Sequence, residues 1–515
     1  MVLNYFGRHD LVILFPSLIC LVVSIVLYGY KRDEKLWPAI LFLALASLGL
    51  RIFMAHLDPF LWDWDERYHA LVAKNFLAHP LIPTLYDHPV MDYNYTEWYK
   101  NHIWLHKQPL PFWQMALSFY LFGINQFTAR FPMVLEGTLM TLIIYRIGSL
   151  TINKQVGYLS ALIYTVSFYA LDFSSGGQST DSADFALLFY TSIALWAWIE
   201  YRQDLKLKWL LLIGISAGLA VMCKWVIGLL IYAAWGIFIV LDPIERKRIS
   251  SYLYLIISAI ITVAISIPWQ LYALAHYPLE YKYEMAYNTI HVFKAIEGHA
   301  ENNWYYLSRL DQNFGAIVPY ILLLAIVFMW QYIKRKDHKI FLLSFMILPY
   351  LFFSFIATKM PAYCYFASVP VFLALGSFAL FFQRYIEKFK QQGLKTAIVF
   401  TLLIISWFSI NLKGIAKKHT GFDNDNLYRI NKVLMTDYFR QINRTIPKDY
   451  VIFGFPYDLE IETMFYTNNT CYNNFPSLED YQKLKKTGIK IAVIQWDKTP
   501  PYLLNDPNVL KIKWL

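Results

Sequence analysis

The chain has 515 residues, of which 57% are hydrophobic, 18% are aromatic and only 16% are charged. A soluble protein of this length needs more charge to cover its surface, so the composition excludes an ordinary soluble protein and favours a polytopic helical membrane protein. The formal net charge of +10 comes from short basic clusters between apolar runs, which argues against nucleic-acid binding. The four cysteines are scattered without a CxxC pair, so neither a zinc ribbon nor a disulfide scaffold is predicted.

Apolar runs in chain order predict a series of membrane-spanning helices. The first run is interpreted as a retained helix because it lacks a strong basic leader and a small-residue cleavage site. Several runs are shorter than the roughly 20 residues of an untilted span, so the prediction is for about 11–13 transmembrane helices. The predicted spans are residues 11–30, 37–55, 127–148, 155–173, 183–200, 208–223, 226–241, 251–273, 313–333, 339–356, 364–382 and 395–412.

The connections between these spans differ in charge. Short basic connections alternate with longer ones that carry acids and aromatic rings. The positive-inside rule assigns the basic set to the cytoplasm. Loops 56–126 and 274–312 are therefore predicted on the outer face, where their aromatic residues favour interfacial helices, one of them from Asp65 to Ala78.

The composition changes again near Lys417. Residues 451–455 and 489–494 are predicted to form buried strands, with a helix between them at 478–486. The sequence thus predicts a transmembrane domain at 1–416 and a small outer-face α/β domain at 417–515.

An acidic pair stands at the start of the first helix predicted in loop 56–126. Asp65 or Glu66 could take the proton from an incoming hydroxyl, as a transferase that breaks a glycosyl–phosphate bond requires. The alternative is that the pair only complements the helix dipole. Adjacent acids point to different faces of a helix, so one can be catalytic and the other structural. Arg67 could also neutralise one of them.

Basic residues at predicted outer positions run against the positive-inside trend and suit an anionic phosphate. The sequence offers Arg130, Lys224 and Lys359 at such positions, and Lys107 is held between His106 and a proline-rich stretch. The alternatives are a snorkelling lysine at 107 and a topogenic anchor at 130.

A third acidic group opens a span from the outer side. Asp181 and Asp184 lie about one turn apart on the same face of the predicted helix. A helix needs only one capping side chain, so the acid that does not cap the helix is the candidate for a functional role. Either residue can fill that role.

Taken in order, these motifs resemble the bacterial family 39-type glycosyltransferases of the GT-C fold, relatives of the protein O-mannosyltransferases and of the lipid A aminoarabinose transferase. The matching segments are Asp65-Glu66-Arg67-Tyr68, Lys107-Gln108-Pro109-Leu110, Ala129-Arg130-Phe131-Pro132, Asp184-Phe185-Ala186-Leu187-Leu188-Phe189, Lys224-Trp225, Pro268-Trp269 and Thr358-Lys359-Met360-Pro361-Ala362-Tyr363.

The resemblance implies an inverting enzyme that moves a sugar from a polyprenyl-phosphate carrier to a protein, lipid A or another glycan. It places the active site at the outer, periplasmic face of the cytoplasmic membrane. It implies that Asp65 is the catalytic base supported by Glu66, and that Asp184, with Asp181 as its rival, is a second acid. The implied substrate-binding residues are Lys107, Arg130, Lys224, Lys359 and Tyr363.

Some relatives bind a divalent ion, for which His106 and His291 are the candidate ligands here, although a lone interfacial histidine is more often simply hydrogen-bonded. No other cofactor is predicted. The main alternative function is a flippase or transporter of lipid-linked sugars, which would carry its charges at mid-bilayer and show internal repeats. A receptor that recognises a partner through residues 417–515 is a second alternative.

Overall fold

The protein is described by a computed structural model for residues 2–31, 36–63, 65–97, 101–178, 182–296, 298–388, 393–421 and 426–514. Within these ranges it is mostly helical. Helices α1 to α8 are Arg8–Lys31, Trp37–His56, Asp65–Asn75, Leu110–Phe122, Gln126–Thr151, Lys154–Val166, Phe168–Phe173 and Ser182–Asp204. Helices α9 to α16 are Leu207–Lys224, Leu230–Leu241, Ile249–His276, Pro278–Phe293, Tyr305–Ser308, Leu310–Phe314, Val318–Tyr332 and Lys336–Phe355.

The remaining elements belong to the C-terminal third of the chain. Helices α17 to α23 are Val369–Glu387, Leu394–Ile410, Leu412–His419, Leu427–Thr445, Glu460–Tyr466, Leu478–Lys486 and Pro501–Leu504. Strands β1 to β4 are Tyr450–Phe453, Cys471–Tyr472, Lys490–Gln495 and Leu510–Lys513. Short 3-10 turns occur at Val2–Tyr5, Trp225–Leu229, Glu245–Lys247, Tyr365–Ala367 and Pro456–Asp458.

Nine segments of the described chain are long and apolar enough to cross a membrane. Two of them contain two helices each: Leu207–Leu241 contains α9 and α10, and Leu394–His419 contains α18 and α19. The span predicted at 155–173 is divided into α6 and α7 at Ser167, whose side chain caps α7. The span predicted at 313–333 is shortened because Gly315, with φ of +115°, ends α14 before α15 begins. The predicted fold class, a polytopic helical membrane protein, is confirmed.

The chain divides into two compact units. Unit 1 comprises Met1–Leu57, Arg130–Tyr272 and Asn288–Phe422. Unit 2 comprises Asp58–Ala129, Ala273–Tyr287 and Asp423–Leu515. Long apolar helices dominate unit 1, whereas unit 2 contains the four-stranded sheet.

Small residues let neighbouring helices of unit 1 approach closely. A Cβ atom added to Gly214 of α9 would lie 2.7 Å from the backbone oxygen of Ser258 on α11. The Thr262 hydroxyl donates a hydrogen bond to the Gly214 carbonyl oxygen at 2.9 Å. Close packing and interhelical hydrogen bonds are the interactions that hold helices together in lipid. The seam between α9 and α11 therefore depends on this glycine.

One hydrophobic core joins loop 56–126 to the C-terminal sheet in unit 2. The sheet is parallel, with strand order β2-β1-β3-β4, and pairs Val451 with Ile491. Helices α3 and α4 contribute to the same core, where the ring centroids of Phe119 and Phe465 are 6.0 Å apart. Helix α3, which carries the acidic pair, is thus packed into the core of unit 2.

The elements predicted near the C-terminus are confirmed for the two central strands, β1 and β3, and for α22. The sequence missed β2 and β4, the edge strands of the sheet. Strand β2 has only two residues, and β4 has two half-buried residues between exposed ends. Neither provides the apolar run from which a strand is recognised.

Candidate active site

The two acids at the start of α3 have different surroundings. Glu66 is buried, and its Oε2 accepts a hydrogen bond from the backbone N–H of Trp62 at 2.6 Å. It thereby closes the turn that leads into the helix. Asp65 is only partly buried, and its Oδ2 lies 4.0 Å from Lys107 Nζ. An accessible carboxylate is what a general base requires, so the geometry favours Asp65 for that role and Glu66 for support.

Residues 106–108 precede α4 and place two polar side chains toward other parts of unit 2. Lys107 is partly exposed near Asp65, and His106 Nδ1 lies 3.1 Å from Oε2 of Glu284. The Glu284 side chain is buried on α12, in loop 274–312. The sequence analysis did not single out Glu284, because no local pattern indicates a partner 178 positions away.

In unit 1, α8 and α9 bring an acid and a base together. Asp184 lies in the first turn of α8 and is buried, and its Oδ1 forms an ion pair with Lys224 Nζ at the end of α9. Lys224 Nζ also lies 4.1 Å from the ring centroid of Tyr363. The structure therefore joins three of the predicted site residues into one cluster. Asp181, the rival of Asp184, lies outside the described residues.

Arg130 and Lys359 are both buried, and each contacts a backbone oxygen in unit 1. Arg130 Nη1 donates a hydrogen bond to the Ala55 carbonyl oxygen at 3.2 Å, which ties α5 to the end of α2. Lys359 Nζ donates to the Ile356 carbonyl oxygen at 2.6 Å. Each cation therefore has a backbone carbonyl oxygen as a hydrogen-bond partner. Contact of either residue with a phosphate stays a prediction.

The segment around Lys359 is hydrogen-bonded to the part of loop 274–312 that belongs to unit 1. The backbone N–H of Thr358 donates to the His291 carbonyl oxygen, and that of Lys359 donates to the His299 carbonyl oxygen, both at 3.1 Å. His291, one of the two candidate metal ligands, is thus held by its backbone in unit 1.

The candidate metal ligands do not form a multidentate site in the described part of the chain. No group of three or more His, Cys, Asp or Glu side chains there is arranged to hold a metal ion. His106 has Glu284 beside it, which makes a pair rather than the three or four protein ligands typical of zinc sites.

Comparison with known proteins adds an independent line of observation. The family described as dolichyl-phosphate-mannose-protein mannosyltransferase matches residues 106–271. Undecaprenyl phosphate-alpha-4-amino-4-deoxy-L-arabinose arabinosyl transferase 2 of Proteus mirabilis is 26% identical over 362 residues, which are 68% of this chain and 61% of that protein. The corresponding transferase 1 of Pseudomonas fluorescens is 27% identical over 348 residues, 65% of this chain and 58% of that protein. The chain thus spans about three fifths of the length of these relatives.

Two solved structures share the architecture. The crystal structure of ArnT from Cupriavidus metallidurans bound to undecaprenyl phosphate has a TM-score of 0.64 at 12% identity, covering 87% of this chain and 88% of that one. The archaeal oligosaccharyltransferase AglB from Archaeoglobus fulgidus, in complex with an inhibitory peptide and a dolichol-phosphate, has a TM-score of 0.54 at 12% identity, covering 86% and 65%. The chain has the GT-C fold. The resemblance predicted from the sequence is confirmed, and the chain is an integral membrane protein.

The GT-C chain also buries ionisable groups that the sequence analysis missed. In unit 1, Asp172 accepts from Lys418 Nζ at 2.7 Å and lies 2.9 Å from His419 Nε2. In unit 2, Glu460 is buried, and desolvation raises the pKa of its carboxyl to about 8. Asp172 lies within the span predicted at 155–173, but its partners are 246 and 247 positions away in the sequence. Glu460 lies between predicted elements, so no local signal indicates its burial.

Proposed function

We propose that this chain is an inverting glycosyltransferase that uses a polyprenyl-phosphate-linked sugar as donor. The observation that carries the proposal is that each unit contains a carboxylate–lysine pair, Asp65 with Lys107 in unit 2 and Asp184 with Lys224 in unit 1. A transfer from a phosphate carrier needs one group to accept a proton and others to stabilise the leaving phosphate. The GT-C fold and the names of the relatives support this chemistry.

In the proposed reaction, Asp65 removes the proton from an acceptor hydroxyl or amine as the acceptor oxygen or nitrogen attacks the anomeric carbon. The bond between that carbon and the phosphate oxygen breaks, and its electron pair leaves with the polyprenyl phosphate. A single displacement inverts the anomeric centre. Lys107, Arg130, Lys224 and Lys359 are the proposed cations for the leaving phosphate, and Tyr363 lines the same cluster as Lys224.

The membrane location follows from the charge pattern. The positive-inside rule puts the loops that bear Asp65 and Lys107 on the outer, periplasmic face of the cytoplasmic membrane. Residues 417–515 are proposed to be an outer-face domain, and the acceptor is a protein, lipid A or another glycan. The relatives described above are named as transferases, which supports transfer over the flippase alternative.

The test is to offer the purified chain a panel of synthetic short-chain polyprenyl-phosphate sugars in detergent. Release of polyprenyl phosphate from one donor, with an inverted anomeric centre in the product, is the expected result. A flippase would instead move the lipid-linked sugar across a liposome bilayer without cleaving it. That outcome, from folded protein, would contradict the proposal.

A further inference from the structure

We infer that the C-terminal part of unit 2 positions the proposed base, with Lys432 and Glu462 as the positioning residues. The inference rests on the proposed function, because it concerns the orientation of Asp65 on α3. It gives residues of the C-terminal region a role in the reaction itself, distinct from recognition of an acceptor.

The segment that ends at Asp63, before α3, is held by an ionic triad whose lysine and glutamate are buried and whose aspartate is partly exposed. Lys432 of α20 places its Nζ 2.9 Å from Oδ1 of Asp63 and 2.5 Å from Oε1 of Glu462. The Lys432 side chain is 7% exposed and that of Glu462 is completely buried. A buried charge that loses its partner is strongly unfavourable, so the triad holds one arrangement. Asp63 stands two positions before Asp65.

Other residues of α20 hold the same turn. Arg440 Nη2 donates a hydrogen bond to the Pro59 carbonyl oxygen at 3.1 Å. The Tyr428 ring stacks on the Trp62 ring, with centroids 5.6 Å apart. Together with Lys432, these side chains fix the backbone leading into α3 at several points. The N–H of Trp62 is also the group bonded by Glu66, so the turn and the first turn of α3 are linked.

Both ends of α3 are attached to the neighbourhood of α21. Near its start, Arg67 Nη1 donates to the Asp458 carbonyl oxygen at 3.0 Å. Near its end, Lys74 Nζ donates to the carbonyl oxygens of Met464 at 2.7 Å and Phe465 at 3.1 Å. A lysine at these oxygens satisfies carbonyl groups that the end of α21 would otherwise leave unpaired. Helix α3 therefore has little freedom to rotate or slide on unit 2.

This arrangement matters because proton transfer depends on geometry. A displacement of about 1 Å at a catalytic group is enough to lower a rate by about 100-fold. Loss of the triad frees the segment before α3 and removes none of the cations proposed for the donor phosphate. The expected signature is a lower kcat with an unchanged KM for the donor.

The experiment uses the full-length chain in detergent and a short-chain polyprenyl-phosphate sugar that the wild type cleaves. Release of polyprenyl phosphate is measured with water and with lipid A as acceptors, for Lys432→Met, Lys432→Arg and the exposed control Lys483→Met. We expect Lys432→Met to lower kcat by about 100-fold with both acceptors at an unchanged donor KM. Lys432→Arg should restore part of the rate, and Lys483→Met should match the wild type.

A folded Lys432→Met protein with the parental kcat would overturn the inference, as would a loss confined to lipid A, which would indicate acceptor binding instead. If Lys432→Met does not fold, Arg440→Met is the second variant. It removes a partly exposed side chain of α20 that is hydrogen-bonded to the same turn, and it should lower kcat at an unchanged donor KM. A parental rate for that variant would overturn the inference too. A wild-type protein that cleaves no donor would instead defeat the proposed function.

Discussion

At the scale of single residues, burial distinguishes groups that look equivalent in the sequence. Glu66 is buried and bonded to the backbone, while its neighbour Asp65 is partly exposed beside Lys107. Glu460 and Glu479 are likewise both glutamates near the C-terminus, yet the first is buried and the second is exposed. The contacts of a carboxylate, rather than its neighbours in sequence, decide its chemistry.

Lys224→Met should destabilise the protein and weaken donor binding. The change leaves Asp184 buried without its ammonium partner, which costs about 3–5 kcal/mol of unfolding free energy. The measurement is the thermal unfolding midpoint together with the KM for the donor. Lys208→Met is the matched control, since Lys208 is an exposed lysine on the same helix. Parental stability and KM in Lys224→Met would contradict the role assigned to this pair.

Glu460 makes the stability of the protein depend on pH. Desolvation raises the pKa of its carboxyl from 4.5 to about 8, so the folded chain retains a proton that the unfolded chain releases near pH 4.5. A raised pKa in the folded state gives stability that is present below the unfolded pKa and is lost as pH rises through the folded pKa. At about 1.4 kcal/mol per pH unit, the unfolding free energy falls by about 3 kcal/mol between pH 4.5 and pH 7.

The check is to compare thermal unfolding midpoints at pH 5 and pH 7.5. Glu460→Gln removes the titrating group, so its midpoint should fall less over this interval than that of the wild type. The exposed control Glu479→Gln should retain the wild-type dependence. Equal pH dependence in all three proteins would show that Glu460 titrates normally.

The candidate site could be predicted from the sequence only in part, for a physical reason. Ionisable groups at apolar boundaries are costly, so Asp65, Lys107, Asp184 and Lys224 stand out in the sequence. Glu284 does not, because its partner His106 lies 178 positions earlier. Pairings of this length are set by tertiary packing and leave no local pattern.

At the scale of elements, apolar periodicity predicted the long helices well and their ends less well. The helix predicted from Asp65 to Ala78 ends at Asn75, and the spans predicted from 313 and 364 begin at Val318 and Val369. In both late starts a proline occupies the first turn, where its fixed backbone favours the beginning of a helix. A span predicted from hydropathy alone extends past such a boundary, because the residues on both sides of it are apolar.

The seam between α9 and α11 offers a test of packing. Gly214→Ala puts a Cβ atom 2.7 Å from a backbone oxygen, so the helices must separate and the thermal unfolding midpoint should fall. Gly236 on α10 has open space around it, and Gly236→Ala should leave stability unchanged or raise it by about 0.5–1 kcal/mol through its better helix propensity. Equal midpoints for the two variants would argue against close packing at Gly214.

At the scale of the whole molecule, the GT-C fold combines a helical membrane unit with a unit built around a sheet. Unit 2 is assembled from three separate stretches of the chain, so its core brings loop 56–126 together with the C-terminal strands. The sequence predicted the loop and the C-terminal elements separately. Their common core follows from long-range contacts that no local pattern encodes.

The central claim is that Asp65 is the base of a polyprenyl-phosphate-dependent transfer. It is tested most directly by the initial rate of polyprenyl-phosphate release from the donor that the wild type cleaves, with Asp65→Asn compared with Asp92→Asn. Asp92 is an exposed acid in the same unit. We expect Asp65→Asn to be slower by a factor of about 100 to 10,000 and Asp92→Asn to match the wild type. A folded Asp65→Asn protein that releases polyprenyl phosphate at the parental rate would contradict the account.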